Sequence, residues 1–187
     1  MAEFADLEVI IGPPVITPSP VDWAAVERAF GLRFPMDYKR LFDRYDNLEF
    51  DNFLGVFSPG PDADAMLAGI GDALEPLRVL TADSESIYLV DDYGQSSEAP
   101  RFPIFPEPGG LLHWGATQNG DSCLWLTTDT DPERWDIVVT DGGDWWHFHG
   151  TFVDFLVGVM ERKIRCPIFP DDFPSIRRVD QFEVHDR

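Results

Sequence analysis

Apolar residues in the first fifty positions recur at the spacing of an α-helix. Ser19 and Pro20 suit an N-cap and a first helical position, and the apolar stripe that follows stops at Gly31, which predicts a first helix. Pro35 and Asp37 then open a second helix, whose apolar residues fall at i, i+3, i+4 and i+7. We expect the two helices to pack as an antiparallel or angled pair.

The middle of the chain changes to short β-prone runs broken by turn residues. Runs of strand length lie at 53–57, 77–80, 87–90, 123–128 and 135–140. A short helix is expected near 66–74, although two glycines weaken its pattern, and 91–100 and 127–134 are expected to be loops. Thr151 caps a last helix with a 3.6-residue apolar period. Helices, then strands, then a helix predict an α+β fold and disfavour a doubly wound nucleotide-binding fold.

Length and apolar content indicate one folded domain. The chain has 187 residues, 44% of them hydrophobic and 13% aromatic, which is enough for a single core and excludes global disorder. Closely spaced prolines exclude regular structure over 12–20, so this stretch is expected to be an arm. No basic leader and no apolar stretch near 20 residues is visible. We therefore expect a cytoplasmic protein without a membrane span.

The charge is strongly negative and unevenly distributed. A formal net charge of -20 disfavours direct nucleic-acid binding, because phosphates are repelled, and favours basic protein partners. Solubility or a salty habitat selects the same acidity without any partner. Between Arg44 and Arg101, 12 acidic residues face one basic residue, and a second acidic stretch covers 121–144. The expected partner-binding face consists of Asp62, Asp64, Asp83, Glu85, Asp91, Asp92, Asp129 and Asp131.

Candidate catalytic and metal chemistry is weak in this sequence. His147 and His149 would share one face of a strand, and Asp144 or Asp141 would complete a metal site, but a plain strand explains the same residues. Cys123 and Cys166 are widely separated in the sequence and match neither a disulfide framework nor a zinc motif. Such cysteine usage is typical of a protein in a reducing compartment. No phosphate-binding glycine pattern is present. We expect no enzymatic activity, no cofactor and no metal.

One diffuse pattern of aromatic, glycine, proline and acidic residues is spread over three segments of the chain. They cover 23–39, 110–125 and 135–156, and the second contains Gly-Leu-Leu-His-Trp-Gly-Ala-Thr-Gln-Asn-Gly-Asp. The pattern is carried by Trp23, Glu27, Gly31, Pro35, Tyr38, Trp114, Gly115, Asn119, Gly120, Asp121 and Trp125. Together they resemble the SMI1/KNR4 family, also called the SUKH superfamily. The resemblance covers 20–165, which leaves 1–19 as a Pro-rich N-terminal arm and 166–187 as a C-terminal tail.

This resemblance implies an α+β domain with helices packed on a twisted, mostly antiparallel sheet. Members of the family are associated with bacterial immunity proteins that neutralise partner toxins, often nucleases, and with fungal regulatory scaffolds. The expected function is a non-enzymatic immunity protein that masks the active site of a basic, nuclease-type toxin. The alternative is a regulatory or scaffold module with no toxin partner. The arm, the acidic stretch 58–75 and the tail depart from the family pattern and leave the partner open.

Most motif residues have a structural explanation in the sequence itself. Pro35 suits a helix start and Tyr38 a buried stripe. Asn119 and Gly120 suit a hairpin turn with positive φ at both central positions, and the flanking tryptophans are expected to pack across the strands. The motif therefore describes the scaffold, and the binding face is expected elsewhere.

Overall fold

The computed structural model describes residues 2–183, which contain five helices and nine strands. The helices are α1 (Phe4–Ile11), α2 (Trp23–Phe30), α3 (Met36–Phe42), α4 (Ala63–Thr81) and α5 (Phe152–Met160). The strands are β1 (Asn47–Phe50), β2 (Leu54–Val56), β3 (Ser86–Val90), β4 (Ser96–Pro100), β5 (Leu111–Thr117), β6 (Ser122–Leu126), β7 (Asp136–Thr140), β8 (Asp144–Phe148) and β9 (Val179–Phe182). A 3₁₀ turn at Pro132–Arg134 precedes β7.

All nine strands belong to one sheet, in the order β4-β3-β8-β7-β6-β5-β2-β1-β9. Within residues 2–183, β3 and β8 form a parallel pair, and every other neighbouring pair is antiparallel. β4 and β9 are the two edges. The expected α+β fold with a mostly antiparallel sheet is confirmed.

Aromatic rings join the helices to the centre of the sheet. Tyr38 of α3 meets Trp125 of β6 edge-on, with ring centroids 4.7 Å apart, and Phe152 of α5 lies 5.0 Å from Trp114 of β5. Edge-to-face pairs of this kind add roughly 0.5–1.5 kcal/mol each to the gain from burial. The side chain of Thr151 accepts the N–H of Asp154 and completes a capping box at the start of α5. The predicted α3 and α5 are confirmed.

Two predicted helix boundaries in the first half are wrong. α2 ends at Gly31 as expected, but its N-cap is Asp22, whose carboxylate accepts the N–H of Ala25. The prolines before Asp22 lie outside the helix. The helix expected near 66–74 runs for 19 residues and absorbs the strand expected at 77–80. Pro76 lies inside it. Buried side chains at helical spacing outweigh the local preferences there; they are Ile70, Leu74, Leu77 and Thr81.

The stretch 91–100, expected to be a loop, contains strand β4. β4 pairs antiparallel with β3 and is largely exposed, so it carries no alternation of apolar and polar residues that would reveal it. The strands expected near 53–57, 87–90, 123–128 and 135–140 are confirmed as β2, β3, β6 and β7.

Both segments outside the motif region join the same hydrophobic core. Part of the expected arm forms α1, whose Phe4, Leu7 and Ile11 are buried and which contacts α5. Residues 12–20 are irregular, as the prolines predict. In the expected tail, Cys166 and Phe169 are buried and β9 pairs with β1. The tail's last four residues, 184–187, lie outside the described part.

The helices of this fold are short or amphipathic. Among the described residues, no helix has both the length and the apolar content needed to cross a membrane.

Candidate functional site

Four of the eight acidic residues chosen from the sequence lie at one end of the sheet. β3 and β8 end there and β7 begins there, because β3 is parallel to β8 and β8 is antiparallel to β7. Asp91 and Asp92 directly follow β3, and Asp129 and Asp131 lie in the β6–β7 connection. With strands about 4.8 Å apart, the ends of β3 and β6 from which these loops start are roughly 15 Å apart. We call Asp91, Asp92, Asp129 and Asp131 the acidic end.

Hydrogen bonds fix the carboxylates of the acidic end in place. Oδ1 of Asp91 accepts the N–H groups of Tyr93 and Gln95 and so shapes the β3–β4 turn. Oδ1 of Asp92 accepts Nε1 of Trp146 at 2.9 Å, which ties that turn to β8.

The β6–β7 connection is fixed in the same way. Oδ1 of Asp131 accepts the N–H of Glu133 at the start of the 3₁₀ turn, and Oδ1 of Asp129 accepts the N–H of Asp131. The backbone carbonyl of Asp129 accepts Nε1 of Trp135 at 2.8 Å. Negative charge is therefore held on ordered turns.

The other four acidic residues lie elsewhere. Asp83 and Glu85 are exposed just before β3, at the opposite end of the sheet. Asp62 is the N-cap of α4 and Asp64 lies in its first turn. A helix of 19 residues is about 28 Å long, so these two are far from Asp83. The eight acids therefore do not form one continuous face.

Little positive charge opposes the acidic end. Within residues 2–183, no lysine or arginine forms an ion pair with Asp91, Asp92 or Asp131, while Asp129 pairs with Arg134 at 3.4 Å. Tyr93, in the β3–β4 turn, is 87% exposed. Tyrosine is enriched in protein interfaces and among the residues that contribute most to binding.

The motif residues of the first segment occupy caps and core positions. Gly31 has φ +65° and ends α2, and Pro35 is the N-cap residue of α3. Glu27 pairs with Lys39 and accepts the N–H of Phe34 at 3.1 Å. Burial acts to raise the pKa of Glu27, but the hydrogen bond and charge of Lys39 hold it below its usual value. Nε1 of Trp23 donates to Asp43.

The second segment forms β5, β6 and their turn. Gly115 lies so close to β2 that a Cβ would be 2.7 Å from the carbonyl oxygen of Gly55. Asp121 is buried and its carboxylate accepts the hydroxyl of Thr117 at 2.6 Å. Gly120 has φ +91°, whereas Asn119 has no positive φ, so the expected two-residue turn is wrong. Four residues, 118–121, link the strands, and the Thr117–Asp121 bond shapes the turn.

The tryptophans on the two sides of this turn pack together as expected. The ring centroids of Trp114 and Trp125 are 6.2 Å apart, and both side chains are buried. Their indole N–H groups have no hydrogen-bond partner within the described residues.

The two adjacent histidines meet a carboxylate that sequence reasoning missed. Nε2 of His147 and Nδ1 of His149 lie 3.0 and 2.8 Å from Oδ2 of Asp136. The expected partners are not there: Asp144 starts β8 at the opposite end of that strand, and Asp141 holds the β7–β8 turn. Burial lowers the pKa of His147. Only the register of the β7–β8 hairpin places Asp136 beside the histidines. That register cannot be deduced from the sequence without knowing the length of the turn.

A cavity of about 420 Å³ lies between α4 and β5. Tyr38, Phe57, His113 and Trp114 line it. Burial lowers the pKa of His113 to about 4, so this imidazole is neutral near pH 7. In the sheet, His113 pairs with Leu124, whereas Cys123 pairs with Gly115.

Comparisons with protein-family models, with curated proteins and with solved structures found no match to this chain.

Proposed function

We propose that this chain is a binding protein that neutralises a basic toxin domain by covering its active site. The observation that carries the proposal is the acidic end, whose carboxylates lie on ordered turns and whose Asp91 and Asp92 directly precede the exposed Tyr93. The resemblance of three ordered segments to the SMI1/KNR4 family supports an immunity role. In this proposal the protein acts by stoichiometric occlusion.

The electrostatics favour association with a basic surface. The net charge of -20 attracts a cationic partner over long distances. Three of the four carboxylates of the acidic end form no ion pair within residues 2–183, and they concentrate that attraction on one patch. Steering of this type raises association rates by about 10–10³-fold and weakens as salt screens the charges. Because hydrogen bonds already order the turns at the acidic end, little conformational freedom is lost there on binding.

The test begins with capture of partners from the native lysate by the tagged full-length chain. A retained protein is then purified, and its association rate and its toxic activity are measured with increasing amounts of this chain. The proposal expects a basic partner, inhibition that is complete at a one-to-one ratio, and slower association in high salt. A partner set of endogenous regulatory proteins, with no toxin inhibited, would instead support a scaffold role.

Matched variants locate the contact. In one variant, all four residues of the acidic end become Asn, which removes four charges but keeps side-chain oxygens as acceptors. The control variant removes four charges elsewhere, through Asp62→Asn, Asp64→Asn, Asp83→Asn and Glu85→Gln. We expect association at low salt to slow about tenfold or more in the first variant and clearly less in the control. Equal effects would remove the acidic end from the interface.

A further inference from the structure

Three potential metal ligands converge on neighbouring strands. Asp136 begins β7, His147 lies in β8 and His149 follows directly after it. Both imidazoles direct a ring nitrogen at the same carboxylate oxygen, and the ligand atoms of the three residues all lie within 4.8 Å of one another.

The sheet register creates this convergence. Ile137 pairs with Phe148, so Asp136 lies opposite His149, and His147 is the diagonal neighbour two residues away. Residues two apart on a strand point to one face, which puts all three ligands on the same side of the sheet. Trp146 and Phe148 point to the other side, where both rings contact Phe155 of α5. The backbone positions of the ligands are therefore fixed by a hydrogen-bonded ladder.

The distances suit a small ion. Zinc binds imidazole nitrogen and carboxylate oxygen at about 2.0–2.2 Å, so ligand atoms around a tetrahedral ion are about 3.3 Å apart. The observed nitrogen–oxygen separations of 3.0 and 2.8 Å become compatible after a small outward movement of the side chains. Two imidazoles with one carboxylate favour zinc, nickel or copper, whereas magnesium and calcium prefer an all-oxygen shell.

The surroundings leave room for the ion and further ligands. His147 is partly covered by the ring of Phe102, 5.9 Å away, while the side chain of His149 is 78% exposed. Three protein ligands with an accessible remaining position are the arrangement of open zinc sites. From this geometry we propose that Asp136, His147 and His149 bind one divalent ion of the zinc, nickel and copper group.

The test is titration of the full chain, stripped of metal by a chelator, with Zn²⁺, Ni²⁺ and Mg²⁺ in separate calorimetric experiments. We expect saturable one-to-one binding of Zn²⁺ and Ni²⁺ and none of Mg²⁺. His149→Ala removes an exposed ligand and Asp136→Asn removes the anionic one, and each should weaken Zn²⁺ binding about tenfold or more. Asp144→Asn is the matched control in the same hairpin and should leave the dissociation constant unchanged. Circular dichroism checks that each variant is folded.

A spectroscopic measurement identifies the ligands directly. Zn²⁺ should shift the imidazole NMR signals of both His147 and His149 in the unmodified chain, in proportion to occupancy. Absence of saturable binding would overturn the proposal, and so would binding that His149→Ala and Asp136→Asn leave intact. These results are independent of the proposed toxin binding, since no partner protein is present in either experiment.

Discussion

Oδ2 of Asp37 accepts a hydrogen bond from the backbone N–H of Val153, 3.2 Å away, and so joins the start of α3 to the first turn of α5. Oδ1 of the same carboxylate accepts the N–H of Tyr38. Burial nevertheless raises the pKa of Asp37 to about 6, against the lowering effect of these hydrogen bonds. The desolvation cost of the ionised carboxylate therefore exceeds the stabilisation that the two N–H groups provide.

Asp37 should make the folded protein less stable as pH rises. Its pKa is higher in the folded chain than in the unfolded chain, so its contribution is greatest at low pH and is lost as pH rises through about 6. Asp37→Asn removes this dependence. From pH 5 to 7.5, the free energy of unfolding of the natural chain should fall by about 1–2 kcal/mol relative to the variant. Urea unfolding at several pH values measures the difference, and a difference that does not vary with pH would contradict the assignment.

Helix α1 should be essential for stability. Leu7 is fully buried in the common core, whereas Val9 on the same helix is 83% exposed. Leu7→Ala should lower the free energy of unfolding by about 2–5 kcal/mol, because it removes buried methyl groups and leaves a cavity. Val9→Ala is the matched control and should change it by less than about 0.5 kcal/mol. Similar effects of both variants in urea unfolding would show that α1 does not depend on its buried face.

Gly115 should not tolerate a larger residue. A Cβ there would be 2.7 Å from the carbonyl oxygen of Gly55, so Gly115→Ala forces β5 away from β2. We expect a loss of about 1–3 kcal/mol in the free energy of unfolding. Gly69 in α4 has open space around it, and Gly69→Ala should stabilise the protein by about 0.5–1 kcal/mol. Chemical denaturation of both variants tests the opposite signs, and destabilisation by Gly69→Ala would count against the α4 assignment.

The two thiols should be unreactive in the folded protein. Cys123 and Cys166 are both free and buried, and burial raises the pKa of Cys123 well above its usual range and that of Cys166 to about 12. Since the thiolate is the reactive form, a disulfide reagent should modify neither residue before unfolding. In denaturant, the same reagent should titrate two thiols per chain. Rapid modification of the native chain would show that one site opens.

The sequence predicts elements well where caps and apolar spacing agree. Thr151 and the stripe after it define α5, and Pro35 with the residues around Tyr38 defines α3. Prediction fails where long-range packing decides the outcome. Pro76 and two glycines weaken α4 locally, but its buried face holds it together over 19 residues. β4 is missed because a solvent-exposed edge strand needs no hydrophobic pattern.

The same holds for the candidate site residues: local features can be predicted from the sequence, whereas contacts between distant segments cannot. Asp91 and Asp92 can be placed at a turn from sequence, but their location at the same end of the sheet as Asp131 depends on strand order, which local sequence patterns do not encode. Asp136 is not predicted as a ligand from the sequence, because its contact with His149 depends on the register of β7 against β8. Local chemistry is visible in the chain, while the meeting of distant groups comes from topology.

The exposed edge strand β4 has a consequence for how copies of this protein meet. An uncovered edge offers free backbone donors and acceptors on which another chain can add a strand. β4 carries the charge of Glu98 and ends at Pro100, which has no N–H to give. A second molecule approaching this edge therefore meets a like charge and a missing donor. The β4 edge is therefore protected against the addition of a further strand.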